Sequence, residues 1–181
     1  MKRIVVIALG VMALSLSSFA QTPEETIDRA LAAAPRNMKE GATVIKWKAD
    51  GTYDTLKKGT NRLACYDRSG EPGQQPFAVQ CTSLGNLERV KQNRKFEAIT
   101  DKAARQAALD AAEKDGTRVK PEYGSIFYNF MGTSEDKARR HTTVAVPGAT
   151  SAATGLPDKR DAGGAWIMNP GTSTAHIMLP L

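Results

Sequence analysis

The chain has 181 residues, of which 41 % are hydrophobic and 24 % charged, and its formal net charge is +6. These proportions are ordinary for a globular protein of one domain, so they exclude a collagen-like chain, a wholly disordered chain and a membrane protein with several spans. Its two cysteines are too few for a disulfide-dense miniature scaffold or for a four-cysteine zinc module.

The first twenty residues have the three-part pattern of a secretory signal peptide. Lys2 and Arg3 supply the positive start, residues 4–16 form an apolar run without a charge, and Ser18-Phe19-Ala20 fits a cleavage site. The run is short for a membrane span, although an uncleaved anchor or a buried helix is the alternative. We therefore expect an exported protein, periplasmic or secreted, with no stable membrane span after cleavage.

Cleavage after Ala20 leaves 161 residues and lowers the net charge to +4. A charge of that size favours weak contact with acidic surfaces such as cell-envelope polymers, but it is no signature of nucleic-acid binding. We expect residues 21–40 to form an N-terminal helix and linker, and residues 41–181 to form a single domain.

The N-terminal helix has a clear start signal. Thr22 can cap the helix, Pro23 suits the first helical position, and Glu25 completes a capping box. Apolar residues then recur at helical spacing until Pro35 ends the run. This helix either packs on the domain or belongs to a linker.

Beyond residue 41 the pattern changes to strands, interrupted by one helical region. Alternation over residues 43–48 predicts a half-buried strand, and Asp50-Gly51 predicts the turn of a hairpin. The helical region spans residues 84–114 and is divided at Thr100-Asp101. Further strands are predicted at 53–57, 62–66, 77–81, 125–131, 142–146, 166–168 and 175–179, and a long loop at 147–163. The fold class is therefore α+β, with a mostly antiparallel sheet and one helical region.

The helical region carries a dense set of positive charges. These side chains are expected to form a solvated helix face rather than a binding stripe. The set consists of Arg89, Lys91, Arg94 and Lys95.

Cys65 and Cys81 are the only thiols, and an oxidising compartment favours their pairing. The residues between them include two glycines and two prolines, which predicts an irregular surface loop closed by a disulfide. A reactive or metal-binding thiol pair is the alternative, but no CxxC spacing supports it.

Common catalytic fingerprints such as GxSxG, HExxH, a Walker loop or GxGxxG are absent from the sequence. Residues 134–137 match the SxxK spacing of serine-lysine enzymes, yet no SDN or KTG partner accompanies them. Ser134 and Lys137 are therefore expected to lie in a polar turn.

The two histidines are the remaining candidates for chemistry near neutral pH. His141 follows two arginines and is expected to be a surface residue whose protonation the neighbouring charges disfavour. His176 lies in an apolar terminal strand, where it is a candidate general base, metal ligand or ligand contact. The alternative is a histidine at a strand edge, satisfied by backbone or solvent. With two histidines and two paired cysteines, the chain has few side chains left that could bind zinc, so no metal and no cofactor are expected.

Several of these motifs together resemble a group of uncharacterised exported bacterial proteins that have a two-cysteine loop and a C-terminal His-Ile-Met strand. The resemblance covers residues 41–181, and the sequence carries Leu63 where the group has an aromatic residue. It supports export and cysteine pairing, and it implies no activity and no catalytic residue. The motifs are Gly59-Thr60-Asn61, Cys65 with Cys81, residues 128–132, Trp166-Ile167-Met168 and His176-Ile177-Met178.

The sequence leaves the question of enzymatic activity open. The favoured hypothesis is a non-enzymatic periplasmic or envelope domain that binds an unknown ligand or envelope partner, but no nucleic acid. The alternative is a secreted hydrolase of unrecognised type that uses His176 with a carboxylate. A redox role for the cysteines is a third possibility and requires a disulfide that is easily reduced.

Overall fold

A computed structural model of the protein describes residues 22–160 and 164–179. The predicted signal peptide, residues 1–20, lies outside these described residues. The strands are β1 (Thr43–Trp47), β2 (Tyr53–Lys57), β3 (Leu63–Asp67), β4 (Phe77–Ser83), β5 (Ile126–Gly132), β6 (Arg139–Ala145), β7 (Trp166–Met168) and β8 (His176–Leu179). The α-helices are α1 (Pro23–Ala30), α2 (Arg36–Lys39), α3 (Leu87–Glu97), α4 (Lys102–Lys114) and α5 (Ser151–Thr154), and 3₁₀ turns span Leu31–Ala33 and Leu84–Asn86.

The eight strands of the described ranges form one mixed sheet in the order β2-β1-β3-β4-β5-β6-β8-β7. Strands β1 and β3 run parallel, and the other neighbouring strands are antiparallel. Helices α3 and α4 are inserted between β4 and β5, which are themselves neighbours in the sheet. The predicted α+β fold with a mostly antiparallel sheet is confirmed.

The helix caps and the turn that the sequence predicts are present in the structure. The Glu25 amide donates to Thr22 Oγ1 at 3.1 Å and the Thr22 amide donates to Glu25 Oε2 at 2.8 Å, which completes the capping box. Asp101 accepts from the Ala104 amide at 2.7 Å and so starts α4, as predicted. Gly51 has a φ of 81°, the left-handed conformation that its turn requires.

The first face of the sheet is covered by the N-terminal segment. Ala30 and Leu31 are buried there against Phe77 and Val79 of β4, so α1 and the turn that follows it belong to a hydrophobic core. Burial of these apolar side chains is what holds the short N-terminal helix on the sheet.

The disulfide lies inside this same core. Cys65 on β3 and Cys81 on β4 are direct cross-strand partners, are bonded to each other, and are both 0 % exposed. The predicted pairing is therefore confirmed, and the residues between the two strands form the expected turns.

The second face carries a separate apolar cluster at the β1 end of the sheet. Ile45 and Tyr66 pack there against Leu87 and Val90 of α3. Val44, however, is buried in the core of the first face. The predicted alternation of β1 therefore holds at Ile45, Lys46 and Trp47, which are buried, exposed and buried in turn, and it fails at Val44, which is buried as well.

One buried amide joins the helical insertion to the sheet. Asn86 is 0 % exposed; its Nδ2 donates to Thr82 Oγ1 and to Ser125 Oγ, each at 2.8 Å. Its Oδ1 accepts from the Glu122 amide at 2.8 Å. The end of β4, the start of α3 and the approach to β5 therefore meet at a single side chain.

Two further local features complete the fold. Of the long loop predicted at 147–163, residues 161–163 lie outside the described residues, and the remainder contains the short helix α5, which begins at the Thr150 cap. Within the residues that the structure describes, no helix is both long enough and apolar enough to cross a membrane.

We expect removal of the disulfide to destabilise the protein strongly. The bond closes a separation of 16 residues. The Cys65→Ala/Cys81→Ala double variant should therefore lose about 3 kcal/mol of unfolding free energy, because its unfolded chain is less constrained. Urea denaturation of both proteins measures the difference. An unchanged unfolding midpoint would contradict this expectation.

Candidate functional site

A cleft of about 500 Å³ lies between the second face of the sheet and helices α3 and α4. It lies beside the apolar cluster in which Ile45 and Tyr66 pack against α3, so α3 packs closely on the β1 end of this face and the cleft extends toward β8. Its apolar lining includes Phe96, Leu109, Phe127 and Met178. Its polar lining includes Arg68, Gln80, Arg89, Asn93, Glu97, Arg105, Arg118, Asn129, His141, Thr143 and His176.

A row of polar side chains crosses the sheet on this face. Tyr66, Gln80, Asn129 and His141 are successive cross-strand partners on β3, β4, β5 and β6. The Tyr66 hydroxyl lies 2.6 Å from Gln80 Oε1, and Gln80 Nε2 lies 2.5 Å from Asn129 Oδ1. Burial raises the pKa of Tyr66, so its hydroxyl stays neutral and acts as a donor to Gln80. These hydrogen bonds fix the orientation of the Gln80 and Asn129 side chains. The row ends at His141.

The cleft brings the two histidines together on one wall, although they lie on different strands. His141 is half-buried on β6, and the prediction of a surface residue is wrong. Strand alternation sends the neighbouring Arg140 to the opposite face, where its guanidinium lies 4.4 Å from the Phe130 ring centroid. Burial, and to a smaller extent the charge of His176, lowers the pKa of His141.

His176, the sequence-predicted candidate, is half-buried at the start of β8. Its Nδ1 lies 2.7 Å from the carbonyl oxygen of Thr174, so this nitrogen carries the proton when the ring is neutral. Within the described ranges, no group of three or more His, Cys, Asp and Glu side chains is arranged to hold a metal ion.

Two buried arginines line the helix side of the cleft. Arg89 is 5 % exposed and Arg118 is 7 % exposed. Arg89 Nη1 donates to the carbonyl oxygen of Val119 and, at 3.3 Å, to Ser173 Oγ. Arg118 donates at 2.6 Å to Gln92 Oε1 and at 2.6 Å to Asn93 Oδ1.

The hydrogen-bond partners of Arg89 and Arg118 are neutral, so they do not balance the two positive charges. Burial, together with the nearby charge of Arg118, lowers the pKa of Arg89 to about 10, and burial likewise lowers the pKa of Arg118. The predicted solvated helix face is therefore wrong for Arg89, which turns inward from α3.

Arg68 lines the same cleft but is compensated by carboxylates. Its Nε lies 3.0 Å from Glu71 Oε2, and its Nη2 is ion-paired with Glu97. Arg94, which lies outside the cleft on α3, also pairs with Glu71 at 3.0 Å and stacks on Trp47. Arg68 is therefore a buried arginine whose charge is balanced by two carboxylates.

Other sequence candidates lie elsewhere. Cys65 and Cys81 are buried in the core of the first face, on the opposite side of the sheet. Ser134 and Lys137 lie in the turn between β5 and β6, where the Lys137 amide donates to the Ser134 carbonyl at 3.2 Å. The expected polar turn is confirmed.

Sequence reasoning missed Arg89, Arg118, Gln80 and Asn129 as site residues. Gln80 and Asn129 did carry a signal, because each is a lone amide within an otherwise apolar strand core. The arginines carried none, since nothing local separates an inward-facing arginine from its exposed neighbours on a charged helix.

No known protein family matches the chain, and no curated protein or solved structure matches it either.

His141 should make the stability of the protein depend on pH. Its pKa is below the ordinary 6.5 in the folded state, so the unfolded chain takes up the proton first as the pH falls. The His141 contribution is therefore complete above about pH 6.5 and is lost as the pH falls through the lower, folded-state pKa. Urea unfolding at about pH 7.5 and about pH 5.5 should show a smaller loss in His141→Gln than in the wild type.

The matched control is Arg139→Gln, which removes an exposed charge from the same strand. It should retain the wild-type loss of stability on acidification. An equal loss in the wild type and in His141→Gln would contradict the assignment.

Proposed function

We propose that the protein is an exported, non-enzymatic binding domain that takes a small organic molecule into the cleft beneath α3 and α4. The observation that carries this proposal is the cleft itself. Its volume of about 500 Å³ lies in the range of small-molecule sites, and it combines an apolar lining with convergent polar groups. Most of these groups come from four strands and two helices, whereas Arg68 and Arg118 lie in connecting segments, so the groups are held by many parts of the fold rather than by one loop.

The environment of His176 favours binding over turnover. A hydrolytic histidine needs a nucleophile or a water on one nitrogen and an orienting group, commonly a carboxylate, on the other. Here Nδ1 contacts a backbone carbonyl, and Glu97, the carboxylate among the described residues that line the cleft, is ion-paired with Arg68. A hydrolase that uses His176 is therefore the less favoured alternative.

Export to the periplasm or medium is supported by independent features. The disulfide suits an oxidising compartment. The pattern of residues 1–20 predicts a signal peptide, and the resemblance to exported bacterial proteins points the same way. A buried disulfide of this kind fits a structural role better than a redox role, because exchange requires thiol access to a sulfur atom.

Native mass spectrometry of protein purified gently from the exported fraction of its producing cells tests the proposal. We expect the wild type to carry a small molecule, and His176→Trp, which fills the cleft wall, to retain about tenfold less. Met168→Trp is the matched control, because Met168 is the cross-strand partner of His176 on β7 and does not line the cleft.

Two outcomes would count against the proposal. Equal occupancy in the wild type and in His176→Trp would place the ligand outside the cleft. Chemical conversion of the ligand by the wild type, abolished in a folded His176→Ala variant, would establish the hydrolase instead. In that case the protein would act on the molecule rather than hold it.

A further inference from the structure

We infer that the ligand of the cleft is an organic anion, whose negative group is held by Arg89 and Arg118 and whose apolar part lies against Phe96, Leu109 and Phe127. The inference rests on the proposed function and names the chemical class of the ligand. Its basis is a charge imbalance at the cleft wall.

Buried charges in proteins are normally paired, because an isolated charge in a poorly hydrated site is costly. Arg89 and Arg118 break this rule within residues 22–160 and 164–179, where neither forms an ion pair with a carboxylate. Arg118 Nε is buried there without a hydrogen-bond partner. A guanidinium offers five donors, so both side chains have unused N–H groups.

The nearest carboxylates are engaged with other groups. Glu113 accepts from the Ser173 amide at 3.2 Å and from the Ser173 hydroxyl. Its charge acts on Arg89 and Arg118 from a distance and opposes part of the effect of their burial. Glu97 is paired with Arg68. Arg68 thereby provides the comparison within the same cleft, since it is equally buried yet balanced by Glu71 and Glu97. Among the buried arginines of the cleft, Arg89 and Arg118 are therefore the two without an ion-paired carboxylate in the described residues.

The two arginines are also held in place before any ligand arrives. Gln92 Oε1 accepts from Arg118 Nη1 at 2.6 Å and from the Val119 amide at 2.9 Å, and the Val119 carbonyl accepts from Arg89. This arrangement keeps two like charges side by side beneath α3. A carboxylate or phosphate-like group in the cleft would relieve their repulsion and supply charged acceptors to the unused donors.

The other charged groups at the cleft do not reverse this conclusion. Arg105, on α4, adds a further positive charge at a more exposed position. His141 and His176 face the cleft from the sheet, where their protonation adds positive charge. The apolar side chains between them favour a ligand with an aromatic or aliphatic body rather than a small inorganic ion.

A pair of probes that differ only in charge tests the inference. 2-Naphthoate and its neutral isostere 2-naphthamide are titrated into the oxidised wild-type protein, and dissociation constants are taken from NMR shifts of residues that line the cleft. The acid should bind about tenfold more tightly than the amide, because hydrogen bonds to charged groups are the stronger ones. The thermal midpoint should rise more with the acid than with the amide, a readout that needs no variant.

The preference should disappear in Arg89→Gln and in Arg118→Gln, each of which removes one charge and keeps a polar side chain. Arg94→Gln is the matched control, since Arg94 belongs to the same helix, is ion-paired with Glu71 and lies outside the cleft. That variant should keep the wild-type preference for the acid.

The outcomes separate this inference from the proposed function. Equal dissociation constants for 2-naphthoate and 2-naphthamide at the cleft would contradict the inference that the ligand is an anion. They would not contradict the proposed binding function. A preference for the acid that survives in both cleft variants would also overturn the inference. If neither probe changes the NMR shift of any residue that lines the cleft, the result would contradict both the proposed binding function and the inference of an anionic ligand.

Discussion

The position of the cleft depends on one buried side chain amide. Asn86 binds Thr82, Ser125 and the backbone of Glu122, and it is wholly enclosed by the protein. Every strong hydrogen-bonding group that it carries is thereby satisfied, which is the condition for burying an amide without a large cost. Since α3 begins at the next residue, this contact fixes the helix above the sheet. The segment that carries Arg118 is joined to the start of α3 by the same contact through the Glu122 amide, and Gln92 and Asn93 then hold Arg118 against the helix.

The two faces of the sheet differ in polarity and in what covers them. The first face is apolar and is closed by the N-terminal helix, whereas the second is apolar only near β1 and becomes polar toward β8. The change occurs within single strands, because alternate residues of β4 and β5 point to opposite faces. Val79 and Phe130 therefore serve the core while their neighbours Gln80 and Asn129 serve the cleft. The core and the cleft are therefore built from the same strands without sharing the same side chains.

Features encoded by short stretches of sequence were predictable, and features that depend on distant partners were not. The capping box at Thr22, the cap at Asp101 and the cysteine pairing follow from local chemistry or from composition, and the structure has them. His141 was misjudged because its two arginine neighbours suggested a surface position, while strand pairing decided otherwise. Arg89 donates to the carbonyl oxygen of Val119, thirty residues away, and no local sequence pattern predicts such a contact. The fold class was thus accessible from the sequence, and the cleft was not.

The location of the disulfide restricts access to its sulfur atoms. Both sulfur atoms lie beneath the N-terminal segment, with Cys81 Sγ 3.9 Å from the Ala30 carbonyl oxygen. Thiol exchange needs direct access to a sulfur atom, so a reductant can attack this bond only when the N-terminal segment moves away from β3 and β4. The N-terminal helix therefore shields the disulfide as well as completing the core, and the redox stability of the bond is linked to the docking of that helix.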